Sequence, residues 1–273
     1  MPAIIRKIFE DEARNFLNVD DAIAVNSGTA ALIAPLWSMD LQPGDEVITT
    51  SFTFIATSNA IIISGGTPVF VDIDPETLLI DPNKIEAAIT KKTKAIIPVN
   101  LYGRICDMGK INKVAAKHNL IVIEDTAQAF GAEKDGQYAG TFGDIGTYSF
   151  YKTKNISTFE GGLITINKNS KLDGAKIRSI CDQGQVGKYN HEYVGFNFRM
   201  PEPCALIGLE AIKIHMIGIK AELGLRGPIQ GHYPKVVYDQ PVYKRRGITG
   251  NCPVAERIAS EIANETFVDK YNG

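Results

Sequence analysis

Short apolar runs and helical spacings alternate along most of the chain. Ile4–Leu17 places Ile5, Ile8, Phe9, Ala13 and Phe16 on one face of a 3.6-residue period, with charges opposite. Ala22–Val25 reads as a short strand. The small-residue turn Asn26-Ser27-Gly28-Thr29-Ala30-Ala31-Leu32 follows and opens a helix. Further strands are predicted at Glu46–Thr50, Pro68–Asp72, Lys94–Val99, Leu120–Glu124 (ending in Asp125), Ile145–Phe150 and Leu163–Ile166. Between them, helices are predicted through Ile63, over Pro82–Ile89 and over Met108–His118. Such alternation predicts an α/β fold, a mainly parallel sheet sandwiched by helices. Beyond residue 170 the pattern turns helical, over Leu172–Ile180 and the apolar Glu202–Lys220. The tail carries His232-Tyr233-Pro234 in a Pro/Gly-rich loop, then a helix near Pro253–Ala263.

Composition narrows the class. At 273 residues, 44% hydrophobic and 22% charged, the chain has the composition of a soluble globular protein. A formal net charge of −2 gives no electrostatic case for nucleic acid or an anionic membrane. The four cysteines are scattered with no CxxC pair, which argues against a zinc site or a disulfide framework and suits the cytoplasm. No apolar run is long enough to span a bilayer, and the early Glu10, Asp11 and Glu12 are unlike a signal peptide. Asp72-Ile73-Asp74-Pro75-Glu76 is acidic, but its spacing matches no calcium loop, so it reads as a turn and no metal is expected.

Ligands of open α/β sheets bind beyond the carboxyl ends of the strands. Ser27, Asp125 and Lys154 all fall just past predicted strand ends, so they converge on one edge. The turn at Ser27–Ala30 suits a phosphate, because the first N–H groups of a helix are unpaired; a plain N-cap at Ser27 is the simpler alternative. Asp125 ends a buried strand and is either the N-cap of the next turn or a partner for a bound cation. Lys152 and Lys154 share the polar loop Gly143–Gly162; in an extended segment they point to opposite sides, and spacing does not choose between them. A lysine fixed there is a candidate Schiff-base former. Phe54 is either a core aromatic or a face for a bound ring. Together these residues match the needs of pyridoxal 5'-phosphate (PLP): donors for its phosphate, a carboxylate for its pyridine nitrogen and an amine for its aldehyde.

The stretches NSGTAAL (Asn26–Leu32), PGDEVITTS (Pro43–Ser51), IVIEDTAQA (Ile121–Ala129), SFYKTKNISTFEGG (Ser149–Gly162) and GFNFRM (Gly195–Met200) resemble the DegT/DnrJ/EryC1/StrS family. The resemblance implies a PLP-dependent aminotransferase of fold type I, aspartate aminotransferase-like. Its acceptor would be a nucleotide-linked keto sugar and its donor an amino acid such as glutamate. It further implies Lys154 as the Schiff-base and proton-transfer residue, Asp125 at the pyridinium nitrogen and Gln128 at the ring hydroxyl. Gly28, Thr29 and Ala30 with Ser149 would hold the phosphate, and Phe54 would stack on the ring. Asn197 and Arg199 would reach a neighbouring subunit's cofactor phosphate in a homodimer. Two alternatives are a PLP-dependent sugar dehydratase, against which Lys154 counts, and a non-catalytic regulator or partner of the same fold.

The chain departs from the family pattern in four places. No segment leads into the first helix. Phe159 stands before Glu160 where a glycine is usual, implying a changed or strained loop. Met200-Pro201-Glu202-Pro203 lacks the usual hydroxyl cap. Ala221–Gly231 passes almost directly to His232, implying a large PLP-binding domain over 1–200 and a shortened small domain over 201–273.

Overall fold

The computed structural model describes residues 4–216 and 232–264. In chain order the strands are β1 (Asp21–Val25), β2 (Glu46–Thr50), β3 (Thr67–Val71), β4 (Thr93–Ile97), β5 (Ile121–Asp125), β6 (Glu133–Lys134), β7 (Gln137–Tyr138), β8 (Ile145–Ser149), β9 (Gly162–Ile166), β10 (Gln185–Gly187) and β11 (Asn190–His191). The helices are α1 (Ile4–Leu17), α2 (Gly28–Ser38), α3 (Ala56–Ile63), α4 (Pro82–Ile85), α5 (Met108–Lys117), α6 (Gly174–Ile180), α7 (Glu202–Met216), α8 (Pro241–Arg245) and α9 (Pro253–Ala263). Seven strands form one sheet in the order β1-β9-β8-β5-β4-β2-β3. Only β9 runs against the others, pairing antiparallel with β1 and with β8. The strands are apolar on both faces because helices cover both, as crossover connections require.

The predicted strands hold to within about two residues, and the differences have local causes. The helix read from Leu172 begins at Gly174, because the Asp173 carboxylate caps it by accepting the Ala175 N–H at 2.8 Å. The helix read over Pro82–Ile89 is α4 followed by a single 3-10 turn. The helix read over Glu202–Lys220 is α7; its last four residues and Ala221–Gly231 lie outside the described residues. Two hairpins, β6–β7 and β10–β11, are additions to the predicted strands.

One cluster on the sheet joins Ile48, Ile73, Ile96 and Val122 to Val236, Ala255, Ile258 and Ile262, so α9 packs into the same core as β2, β4 and β5. A second surrounds α2, whose buried residues run from Ala30 to Leu36. A third packs α1 and α7 on β1 and β9 through Phe9, Leu163, Ala205 and Ile212. Met200-Pro201-Glu202 supplies no hydroxyl cap for α7. Instead Glu202 Oε2 accepts the Ile5 N–H at 2.8 Å, and so caps α1.

Candidate active site

The carboxyl ends of β1, β2, β5 and β8 lie on one edge of the sheet, because these strands are parallel. Register brings two of these ends together on the start of β9: Val25 pairs with Gly162, and Gly162 with Ser149. Packing there is tight. A Cβ on Gly162 would stand 2.5 Å from the Ser27 carbonyl oxygen, and one on Gly28 would stand 2.6 Å from Ser149 Cβ. Only hydrogen fits, so the start of α2 and the end of β8 form one surface with the Ser149 hydroxyl beside Gly28. Ser27 is the N-cap, its Oγ accepting the Ala30 N–H at 3.1 Å. The Ala30 N–H is therefore engaged within its own turn. The Gly28 and Thr29 N–H groups occupy the first two helical positions and have no intrahelical acceptor, which leaves the positive end of α2 open beside Ser149.

Asp125 closes β5 at 5% exposure. Its Oδ2 accepts the Thr57 hydroxyl at 2.8 Å and its Oδ1 the Ala127 N–H at 3.2 Å. Burial raises its pKa, against the pull of Thr57, Ala127 and the Lys154 charge. It anchors a turn, with no helix following directly. Glu124, one residue earlier and fully buried, accepts four bonds, from Asn100 Nδ2 and the Gly140, Phe142 and Gly143 N–H groups, at 2.7–2.9 Å. It ties the 140–143 loop to the sheet.

The two loop lysines separate by environment. Lys152 is exposed, its Nζ 5.8 Å from the centre of the Tyr151 ring. Lys154 is half-buried, and desolvation lowers its pKa although the Asp125 charge acts to raise it. The loop is fixed from inside: Lys154 N–H donates to the Tyr151 carbonyl at 2.8 Å, Thr158 N–H to the Phe150 carbonyl at 2.9 Å, and Ile156 is buried. Phe159, where a glycine was expected, takes φ +66° at 70% exposure, so the backbone keeps a left-handed turn at a residue that resists it.

Phe54 is 59% exposed and is not a core aromatic; it stands beside Thr57, whose hydroxyl lies 3.2 Å from the Phe54 carbonyl. Gln128 follows β5, its Nε2 donating to the Tyr233 hydroxyl at 2.8 Å and its Oε1 accepting the Tyr102 N–H at 3.4 Å. Asn197 and Arg199 lie along the end of β1. The Asn26 side chain donates to the Asn197 carbonyl at 3.0 Å, and Arg199 pairs with Asp182 at 2.6 Å. Thr57 and Tyr102 were missed by sequence reasoning, and Tyr233 was noted only within the His232-Tyr233-Pro234 segment. Their contacts reach Asp125 and Gln128 across 26 to 105 positions, and no local pattern marks those contacts. Among the described residues no cluster of three His, Cys, Asp or Glu side chains could hold a metal, and no helix is long and apolar enough to cross a membrane.

The edge thus offers an anion site at the start of α2, a buried carboxylate and a desolvated amine. A family model described as the DegT/DnrJ/EryC1/StrS aminotransferase family matches residues 5–216. The chain is 47% identical over 207 residues to GDP-perosamine synthase of Caulobacter vibrioides, covering 75% of this chain and 55% of that protein. It is 45% identical over 202 residues to a pleiotropic regulatory protein of Geobacillus stearothermophilus, covering 74% and 54% respectively. Among solved structures, an aminotransferase of the same four-name family from Brucella abortus superposes with a TM-score of 0.83 at 27% identity, over 93% of this chain and 82% of that one. The chain therefore spans about half the length of the two sequence relatives.

Proposed function

The chain belongs to the DegT/DnrJ/EryC1/StrS aminotransferase family, and from that premise we propose that it is a PLP-dependent aminotransferase of nucleotide-linked keto sugars. The donor would be an amino acid such as glutamate. The observation that carries the reading is the meeting of a desolvated Lys154, a buried Asp125 and the Gly28–Ser149 cradle on one sheet edge. The cofactor is PLP, as in solved relatives. The residues fit it: the cradle admits no Cβ, the open helix start favours an anionic group, and Asp125 is a buried carboxylate suited to a cation.

When bound, PLP supplies an electron sink and a carbon that carries the migrating nitrogen. The chain's own groups do the rest. Gly28 and Thr29 N–H with Ser149 Oγ bind the phosphate; Ala30 contributes by holding the turn through Ser27. Asp125 would keep a proton on the ring nitrogen, and Thr57 holds Asp125 in place. Gln128 would donate to the ring hydroxyl and Phe54 would cover the ring face. Lys154, its amine partly stripped of water, would hold the cofactor's aldehyde and would carry a proton at Nζ. Asn197 and Arg199 would reach the cofactor phosphate of a second copy, which would make a homodimer the working unit. The reading of 1–200 as the PLP-binding domain and 201–273 as a shortened small domain goes with this assignment, as does a cytoplasmic location.

The test is reduction of the PLP-loaded protein with borohydride, followed by peptide mass spectrometry. A single phosphopyridoxyl adduct on Lys154 is expected; an adduct on Lys152, or none, overturns the assignment. The regulatory relative favours a second reading, a non-catalytic protein of this fold. Bound cofactor that is never converted to its amine form by glutamate would select that reading.

A further inference from the structure

Gln128 is held from both ends. A backbone N–H is only a donor, so Tyr102 N–H fixes which end of the amide is Oε1. The opposite end, Nε2, then donates one hydrogen to the Tyr233 hydroxyl at 2.8 Å and has a second left. Tyr102 reaches the same segment again, its hydroxyl donating to the His232 carbonyl. Tyr102 takes φ +55°, a left-handed conformation that an aromatic residue adopts only when its surroundings impose it. The Tyr233 ring packs edge-on against Phe52 with centroids 5.9 Å apart, and Val237 N–H donates to the Ser51 carbonyl at 3.0 Å. The segment from His232 to Val237 is thus fastened at the ends of β2 and β5, beside Asp125.

We propose that Tyr233 is a positioning residue, whose hydroxyl, latched through Tyr102 and His232, fixes the Gln128 amide so that it presents a donor to the PLP ring hydroxyl. This rests on the reading of the site given above. Without the Tyr233 hydroxyl the amide is free to turn, and an acceptor lone pair then opposes an electron-rich ring oxygen. Burial keeps the Tyr233 hydroxyl protonated, so it acts as a neutral hydrogen-bonding group throughout the working pH range. The C-terminal segment, far from the PLP motifs in sequence, thereby contributes to cofactor recognition.

The test is PLP titration of the apo protein, followed by its visible absorbance, for wild type, Tyr233→Phe, Gln128→Ala and the double variant. The phenylalanine keeps the ring on Phe52, and the apo melting temperature is read alongside. Tyr233→Phe should weaken PLP binding on the order of 5-fold and shift the visible band in the direction that Gln128→Ala shifts it. In the Gln128→Ala background the same change should cost less than about 2-fold, because the two residues act as one unit. Unchanged affinity and band in Tyr233→Phe, or losses that simply add, overturn the proposal. A wild-type protein that takes up no PLP overturns the functional reading itself, and this one with it.

Discussion

Glu124 and Asp125 are neighbours on β5, equally buried, and strand alternation sends them to opposite faces of the sheet. Glu124 is saturated by the protein: an asparagine amide and three backbone N–H groups occupy its oxygens. Among the described residues Asp125 receives the Thr57 hydroxyl and the Ala127 N–H, and it faces the charge of Lys154. The difference teaches how to tell two roles apart in one strand. A carboxylate kept for the fold is fully coordinated by the fold, whereas one kept for a guest retains lone pairs near a cation.

The comparison breaks most visibly at the partner of Asp125. Lys154→Ala should lower turnover at least roughly 1,000-fold, while Lys152→Ala should change it by no more than about 2-fold, both read by steady-state kinetics. Glu124→Gln puts amide hydrogens against backbone N–H donors and should destabilise by about 3 kcal/mol in chemical denaturation. Asp125→Asn should leave stability within about 1 kcal/mol yet weaken PLP roughly 100-fold, the loss of a buried charge partner. Equal destabilisation by the two substitutions would erase the distinction.

A smaller effect appears with pH. Burial raises both carboxyls, so between the unfolded value of about 4 and the raised folded values the native apo chain holds protons that the unfolded chain has released. Stability should therefore fall as pH rises through that window. Asp125→Asn and Glu124→Gln should each flatten the slope, measured by denaturation across pH. The smallest effect is expected in the Lys154 loop. Phe159→Gly removes a strained left-handed aromatic and should add about 0.5–1 kcal/mol; a lower melting temperature would show that the exposed ring is in use.

Much of this was legible in the chain. The strands announced themselves as apolar runs, and their common direction placed Ser27, Asp125 and Lys154 on one edge. The choice between Lys152 and Lys154 was not legible from spacing, since it depends on how deeply a loop folds. Phe54 stayed open for a similar reason: exposure is decided by what the rest of the chain covers. The β6–β7 hairpin carries a signal that went unread, Asp135-Gly136, a dipeptide that favours tight turns. Glu124 also left a trace, an acidic residue directly after three apolar ones in a buried strand. The Gln128–Tyr233 contact and the α1 cap at Glu202 left none, because each joins residues more than 100 positions apart.

The place of β1 in the sheet has a temporal consequence. It is the earliest of the described strands, yet its neighbour is β9, and Ile5 meets its cap at Glu202. During synthesis α1 and β1 emerge well before Glu202 and β9, which they meet in the fold, while β2 to β5 can already assemble. Within this chain β1 waits for β9 until some 140 further residues have left the ribosome, and α1 waits longer for Glu202. Slowing translation between β5 and β9 therefore prolongs the interval in which this protein is most exposed to misassembly.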